Sequence, residues 1–298
     1  MYIHLTISMI HRYDNEHQKK RVAKNKKAIF ATNYFIVAKA KQGISKIEKP
    51  TILITNDDGV TAPGIAALVE VAKQYGRVVV VAPETPQSGM GHAITIGDPL
   101  RLNSVNLFGP DVEAYQCSGT PVDCVKLAVD KILHKKPDYC FSGINHGSNA
   151  SINVIYSGTM SAAMEAHIEN IPAIGFSYMD YSFEADFSLA QQVANEAIHH
   201  IIHGIIPPHG LYNVNIPKID PKKFKGLKVC RQAHAKYEES FLERIDPHGK
   251  KYYWLTGEFK NLDKSKDTDV YALANNYASI VPVQYDLTDY KLMDKIKL

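Results

Sequence analysis

From Thr51 onward the chain alternates short apolar runs with segments of helical spacing, and that alternation restricts it to one class of fold. Thr51 to Thr55 (TILIT) and Arg77 to Ala82 (RVVVVA) are continuous apolar runs of strand length, too uniform for strands with one wet face. Between them, Ala62 to Tyr75 repeats apolar residues at helical spacing, and Pro63 suits a first helical turn, so the stretch reads as a βαβ unit. The rhythm continues with a helix from about Thr120 to His134, a strand over Asp138 to Ser142, a helix from about Ser157 to Asn170 and a strand over Pro172 to Ser177. A helix from about Phe183 to His203 and a strand over Leu211 to Ile216 follow. This order predicts an α/β fold, a doubly wound and mostly parallel sheet covered on both faces.

Two regions break the pattern. Ala93 to Ala114 is β-rich but split by Gly-Asp-Pro and Phe-Gly-Pro turns, which predicts strands or hairpins inserted beside the sheet. From about 227 to 257 the sequence is strand-like around a strong turn signal, Asp246-Pro-His-Gly249, which predicts a long, protruding C-terminal β-hairpin arm. An arm carrying Trp254 and several tyrosines cannot bury them alone, so it is expected to pack against another subunit. The tail predicts a short helix near Val270 to Asn276 and a strand over Ala278 to Val283.

With 298 residues, 45% of them apolar, there is material for a real core. No run approaches the roughly 18 to 20 apolar residues of a membrane-spanning helix, so no membrane partner is expected. Cys117, Cys124, Cys140 and Cys230 stand singly, which disfavours a zinc site or a disulfide framework and favours reduced thiols in a cytoplasmic protein. The net charge of +3 is unevenly spread: residues 1–50 hold eleven Lys/Arg against three Asp/Glu, and the rest hold 23 against 28. The basic extension over 1–50 could touch nucleic acid or an anionic membrane, or act as a transit peptide. It is expected instead to be a poorly ordered appendage, or the product of a start placed too early, with the folded domain spanning 51–298 and no stable nucleic-acid partner.

In a doubly wound sheet the ligand crevice lies beyond the carboxyl ends of the strands. The first strand there meets Asn56-Asp57-Asp58-Gly59, the second a glycine-rich loop containing Ser88, Gly89 and His92, and the strand from Asp138 meets Gly143 to Asn149. Adjacent carboxylates repel, and keeping both ionised calls for a cation. Mg²⁺ or Mn²⁺ prefers oxygen, and Asp57, Asp58, the Ser88 hydroxyl and the Asn145 amide oxygen would form an open site for one such ion. Ser157-Gly158-Thr159 opens a helix and suits a phosphate, although an ordinary helix cap explains the same residues. Gly119-Thr120-Pro121 reads as a structural cap. His92 and His146 are better placed for chemistry than His199, His200, His203 and His209, whose cluster suits solvation or carbonyl contacts. There is no GxxxxGK[ST], GxGxxG after the first strand, GxSxG or HExxH, so NTPase, dehydrogenase, esterase and zinc-protease chemistries lose their main support.

Five ordered segments resemble the SurE family of survival-protein nucleotidases: ILITNDDGVTAPGI (Ile52 to Ile65), VAPETPQSGMGHAIT (Val81 to Thr95), CSGTPVDCV (Cys117 to Val125), SGINHGSNASINVIYSGTMSAAMEA (Ser142 to Ala166) and TDVYALANNYASIVPV (Thr268 to Val283). The resemblance implies a Rossmann-like domain with an arm exchanged between subunits of a homodimer or homotetramer. It also implies a metal-dependent phosphatase acting on nucleoside 5′- and 3′-monophosphates, and in some members on polyphosphate. It places the metal ligands on Asp57, Asp58, Ser88 and Asn145, the phosphate contacts on Ser157, Gly158 and Thr159, and neighbouring site positions on Asn56 and Gly89. Asp57, Asp58 and Asn145 thereby carry the catalysis, with water as the direct attacker. Ser151-Ile152-Asn153 and Ala166 depart from the family pattern, and residues 1–50 have no counterpart in it. Two other readings compete: a phospho-receiver, which needs an Asp at the end of the strand that closes instead with Ser142 to Asn145, and a nucleotide-binding regulator without turnover.

Overall fold

A computed structural model describes residues 49–182 and 184–297, so the extension expected over 1–50 lies, up to residue 48, outside the described residues. The elements run β1 (Thr51–Thr55), α1 (Pro63–Ala72), β2 (Arg77–Pro83), β3 (Leu102–Val105), β4 (Glu113–Cys117), α2 (Pro121–Leu127) and β5 (Tyr139–His146). Next come α3 (Gly158–Ile168), β6 (Ala173–Tyr178), α4 (Ser188–Ile202), β7 (Leu211–Ile216), β8 (Leu227–Val229), β9 (Ala235–Ile245) and β10 (Lys251–Asn261). The chain closes with α5 (Asp269–Ala274), β11 (Ala278–Val283) and α6 (Tyr290–Met293).

Nine strands form one sheet in the order β3-β4-β2-β1-β5-β6-β7-β11-β8, parallel from β4 through β7. β3 and β11 pair antiparallel at β4 and β7, and β8 follows β11 in parallel. Alternation along each strand sorts the core into two layers, because successive side chains leave a strand on opposite faces. Ile52, Ile54, Val78 and Val80 pack with α1 and α4 through Ile65, Leu68, Val193 and Ile201. Leu53, Val79, Val81 and Cys140 pack on the other face with Cys124, Val125, Met160 and Ala163 of α2 and α3. Burial of each such aliphatic side chain contributes about 1.5–3 kcal/mol, which explains why the interior positions of β1 and β2, Ile52 to Ile54 and Val78 to Ala82, are all apolar. The four cysteines are buried and free.

Several expected boundaries shift for identifiable reasons. β5 continues past Ser142 to His146, so Gly143 to His146 belongs to the strand and not to a loop. Gly143 marks an irregularity in its pairing with β6, and Ile144 beyond it is fully buried. The insertion after β2 makes one antiparallel pair at the sheet edge, β3 with β4; β4 extends to Cys117 and adds a parallel partner to β2. α4 begins at Ser188 and not near 183, behind Asp186, whose carboxylate accepts both the N–H and the O–H of Ser188 at 2.9 Å. The helix expected to reach His134 is α2 followed by a wider turn over Ala128–Ile132. Thr120 caps it in a reciprocal box with Asp123, the structural role expected of Gly119-Thr120-Pro121.

The arm is a separate two-stranded ribbon, β9 with β10, running from Ala235 to Asn261 and not from 227 to 257. Residues 227–229 are instead edge strand β8 of the main sheet. The Asp246 carboxylate accepts from His248 N and Lys250 N at 2.8 and 2.9 Å, closing the turn that the sequence signalled. Among the described residues no helix is long and apolar enough to cross a membrane.

Candidate active site

β1 lies between β2 and β5, so chain connections leave it in opposite directions and a crevice opens at its carboxyl end. Asn56 begins the turn there. It is fully buried and its amide donates to Gly59 O at 2.8 Å, which shapes the turn, while its Oδ1 is buried without a hydrogen-bond partner among the described residues. Asp57 is buried and Asp58 half-buried. Burial and then the Asp58 charge raise the Asp57 pKa to about 6, against hydrogen bonds from Thr159 that favour its ionised form. Burial likewise raises Asp58, opposed by the His146 N–H, which donates to Asp58 Oδ2 at 3.0 Å and ties β1 to β5.

Thr159 is fully buried and its hydroxyl donates to Asp57 Oδ1. The start of α3 therefore addresses a carboxylate of its own chain, and the Thr159 side chain braces Asp57 where a direct phosphate contact was expected. Gly158 makes this possible, because a Cβ there would lie 2.7 Å from Asp57 Cβ and 2.9 Å from Asp57 Oδ2. Ser157 caps α3, its Oγ accepting from Met160 N at 3.0 Å, and it also lines the crevice. The cap reading of Ser157 is thus met.

The crevice is a cavity of about 820 Å³ whose wall includes Asp57, Ser88, Gly89, Asn145 and Ser157. Asp58 is not part of that wall. Asn145 donates from Nδ2 to His146 O and Gly147 O at 3.2 and 3.0 Å, which leaves its side-chain carbonyl oxygen available to a cation. Among the described residues no group of three or more His, Cys, Asp or Glu gathers, so a cation here depends on two carboxylates plus neutral oxygens. The donor set fits a hard divalent ion: oxygen only, two charges, and carboxylates that resist ionising without a counter-charge.

A buried amide network holds the loop that follows β5. Asn149 donates to Ser177 Oγ at 2.8 Å, Asn213 donates to Asn149 O at 2.8 Å, and Asn215 accepts from Asn149 N and donates to Asn213 Oδ1, each at 2.8 Å. Two asparagines within LYNVNI, a strand buried at every position, were the available signal for it. Ser151, at a departure from the family pattern, anchors the arm: its hydroxyl donates to Ala233 O at 2.8 Å and accepts from Ala235 N at 3.2 Å. Ala166 is buried in the α3 packing layer. The arm contributes Tyr237, Glu239 and Thr256 to the cavity wall, which no local motif announced.

His146 lines the cavity and packs edge-on against Phe187 with centroids 5.2 Å apart. His92 does not line it. Its Nε2 lies 2.9 Å from Glu165 Oε2, and Lys126 Nζ lies 2.5 Å from the other carboxylate oxygen. Burial would raise the Glu165 pKa, but these two partners outweigh it and hold it below the usual carboxylate range. Together with three hydrogen bonds from Thr95 to Asp123, this latch pins the loop that presents Ser88 and Gly89. A depressed carboxylate stabilises above its unfolded pKa of about 4.3 and loses that contribution as pH falls through the folded value. Glu165→Gln is therefore expected to lower stability by about 2 kcal/mol at pH 7, with the deficit shrinking below about pH 4, read from urea melts of both proteins across pH. A deficit that stays constant into acid would remove the charged latch.

Known proteins resemble this chain over most of its length. The family model described as Survival protein SurE matches residues 52–239. The chain belongs to the SurE family. The SurE relatives include a protein named 5'-nucleotidase SurE from Christiangramia forsetii, 58% identical over 81% of this chain and 93% of that relative. Its namesake from Flavobacterium psychrophilum is 57% identical over 81% and 94% of the two chains. The crystal structure of the SurE protein from Aquifex aeolicus superposes with a TM-score of 0.72 at 41% identity, covering 83% of this chain and 98% of that one. The SurE fold is thus an α/β domain whose mostly parallel sheet carries a separate antiparallel hairpin.

Proposed function

We propose that this protein is a divalent-metal-dependent phosphomonoesterase that releases phosphate from nucleoside 5′- and 3′-monophosphates, with polyphosphate as a further substrate. The observation that carries the reading is the Asp57–Asp58 pair at the end of β1, with Asp57 buried, Asp58 half-buried, and Asp57, Ser88 and Asn145 in the wall of one open crevice. The names of the relatives agree with it, since both bacterial proteins above are called 5'-nucleotidases. One Mg²⁺ or Mn²⁺ per subunit, held by Asp57, Asp58, Ser88 and Asn145, would supply Lewis-acid polarisation of a phosphoryl oxygen and a lowered pKa for an attacking water.

The chain's own groups do the rest. Thr159 fixes the Asp57 carboxylate so that it can orient the attacking water, and His146 N–H fixes Asp58. Ser157 Oγ already accepts from Met160 N, so its O–H can donate to a phosphate oxygen, and Gly89 in the opposite loop leaves room for one. The phospho-receiver alternative lacks support, because β5 carries no carboxylate to accept a phosphoryl group.

The test is inorganic phosphate release from AMP and GMP with Mn²⁺ or Mg²⁺ and with EDTA. Release that depends on the divalent ion is expected; nucleotide binding without release would favour the regulator, and full activity in EDTA would exclude the metal.

The arm supports a proposal about assembly. Phe241, Ile245, Tyr253, Trp254 and Leu255 are all more than half exposed on a two-stranded ribbon that cannot shelter them. Exchange of the arm between subunits would cover them in a homodimer or homotetramer. Phe241→Asp with Trp254→Asp is expected to convert the oligomer to monomer in light scattering, and an unchanged mass would assign the interface elsewhere.

A further inference from the structure

The charge balance of the crevice restricts what can enter it. Its wall carries two acids, Asp57 and Glu239, and among the described residues no lysine or arginine. The one lysine of the adjoining cavity, Lys218, is already paired, its Nζ lying 3.0 Å from Asp180 Oδ1. A divalent ion held by Asp57 and Asp58 would offset those two carboxylates while binding one phosphoryl group. A second phosphoryl group would find no cation in the wall.

Glu239 reaches that wall from the arm. Alternation along β9 puts Tyr237 and Glu239 on one side of the ribbon and Glu238 on the other; the first two line the crevice and Glu238 does not. Across the ribbon, the partner of Glu239 in register is Gly257, which also lines the crevice. A Cβ on Gly257 would lie 2.8 Å from Glu238 O and 3.2 Å from Glu239 Cα, so no side chain fits opposite Glu239 without a shift. On the same ribbon Glu243 pairs with Lys251 at 2.9 Å and Glu258 pairs with Lys260, whereas among the described residues Glu239 has no such partner.

We propose that Glu239 is a specificity-determining residue, whose carboxylate repels a second phosphoryl group and so biases the crevice toward monophosphates and against diphosphates and polyphosphate. Resting on the nucleotidase reading, this role gives the arm a part in substrate choice. In AMP the group next to the phosphate is an uncharged sugar; in ADP it is another anion. Glu239 is exposed, so water screens its charge and the discrimination is severalfold.

The experiment uses the full-length protein at fixed free Mn²⁺ with the variants Glu239→Gln and Glu239→Lys, and with Glu238→Gln from the other side of the ribbon as the control. Initial rates of ADP to AMP, of AMP to adenosine and of phosphate release from tripolyphosphate give kcat/KM. Calorimetry with the methylene analogues of AMP and ADP, in which carbon replaces the scissile oxygen, gives affinities. Glu239→Gln is expected to raise kcat/KM about tenfold on ADP and tripolyphosphate and about twofold on AMP, chiefly through KM. Glu239→Lys should raise the ratio of ADP to AMP about fivefold again, because each step removes one unit of negative charge. Glu238→Gln should match the wild type. A gain of rate cannot come from damaged folding. An unchanged ADP-to-AMP ratio in the Glu239 variants, or an equal rise in Glu238→Gln, would overturn the assignment. If the wild type released phosphate from no ester, the nucleotidase reading would fall by itself. The analogues would still decide the role of Glu239: a gain in affinity about fivefold larger for the ADP analogue than for the AMP analogue supports it, and equal changes remove it.

Discussion

Asp57→Asn and Asp58→Asn proteins are expected to fold and to release phosphate from AMP at least about 1,000-fold more slowly than the wild type, a loss of roughly 4 kcal/mol of transition-state stabilisation. The change is isosteric, so the turn built by Asn56 and Gly59 remains, and an amide oxygen at position 57 can still accept from Thr159. What disappears is charge. Without metal, the buried Asp57 carboxylate and its like-charged neighbour cost stability, as their raised pKa values indicate. Neither variant should therefore melt more than about 4 °C below the metal-free wild type in a calorimetric scan. A folded variant with normal turnover would break the assignment, whereas an unfolded one would mean that the pair is structural.

Gly158→Ala is expected to cost about 100-fold in kcat/KM while leaving the fold intact, because a displacement near 1 Å at a catalytic group is worth about that much. Gly158 opens α3 with Ser157 as its cap, and its φ lies outside the left-handed region. Alanine is the better helix former there by about 1 kcal/mol, so backbone preference does not oppose the substitution. The obstacle is Asp57, whose Cβ and Oδ2 would lie 2.7 and 2.9 Å from the new methyl. Either the carboxylate moves, losing the Thr159 brace, or the first turn of α3 moves. Both displace the site. Phosphate release from AMP with saturating Mn²⁺ measures the effect, and wild-type activity in a correctly folded Gly158→Ala protein would show that Asp57 tolerates the shift.

Much of the fold could be read from local sequence, and the misreadings have physical causes. β1 and β2 are legible because both faces of each strand are buried, which favours an unbroken apolar run through their middles, Ile52 to Ile54 and Val78 to Ala82. β5 is truncated in that reading because glycine ordinarily ends a strand, and only the burial of Ile144 and the renewed pairing of Asn145 with Ser177 carry it on. β4, EAYQC, has no distinctive pattern because half-exposed β3 covers its outer side.

The same division holds at the site. Asp57, Ser88 and Asn145 are visible in sequence because strand ends place them, and Ser157 because it opens a helix; the structure brings all four to one cavity wall. The roles of Thr159 and Glu165 are not visible, since they depend on partners such as Asp57 and Lys126, far away along the chain. Thr159 in particular gives no local sign that its hydroxyl donates to Asp57. Nor is the arm's share of the wall visible, because the arm that carries Tyr237 is anchored by Ser151 on Ala235, far away along the chain.

Calorimetric titration of the metal-free protein with Mn²⁺ tests the central claim most directly. One ion per chain is expected for the wild type, with affinity reduced at least about 100-fold in Asp57→Asn and Asp58→Asn, since each removes one of only two charged ligands. Undiminished binding of one ion by the Asp57→Asn/Asp58→Asn double variant would contradict it.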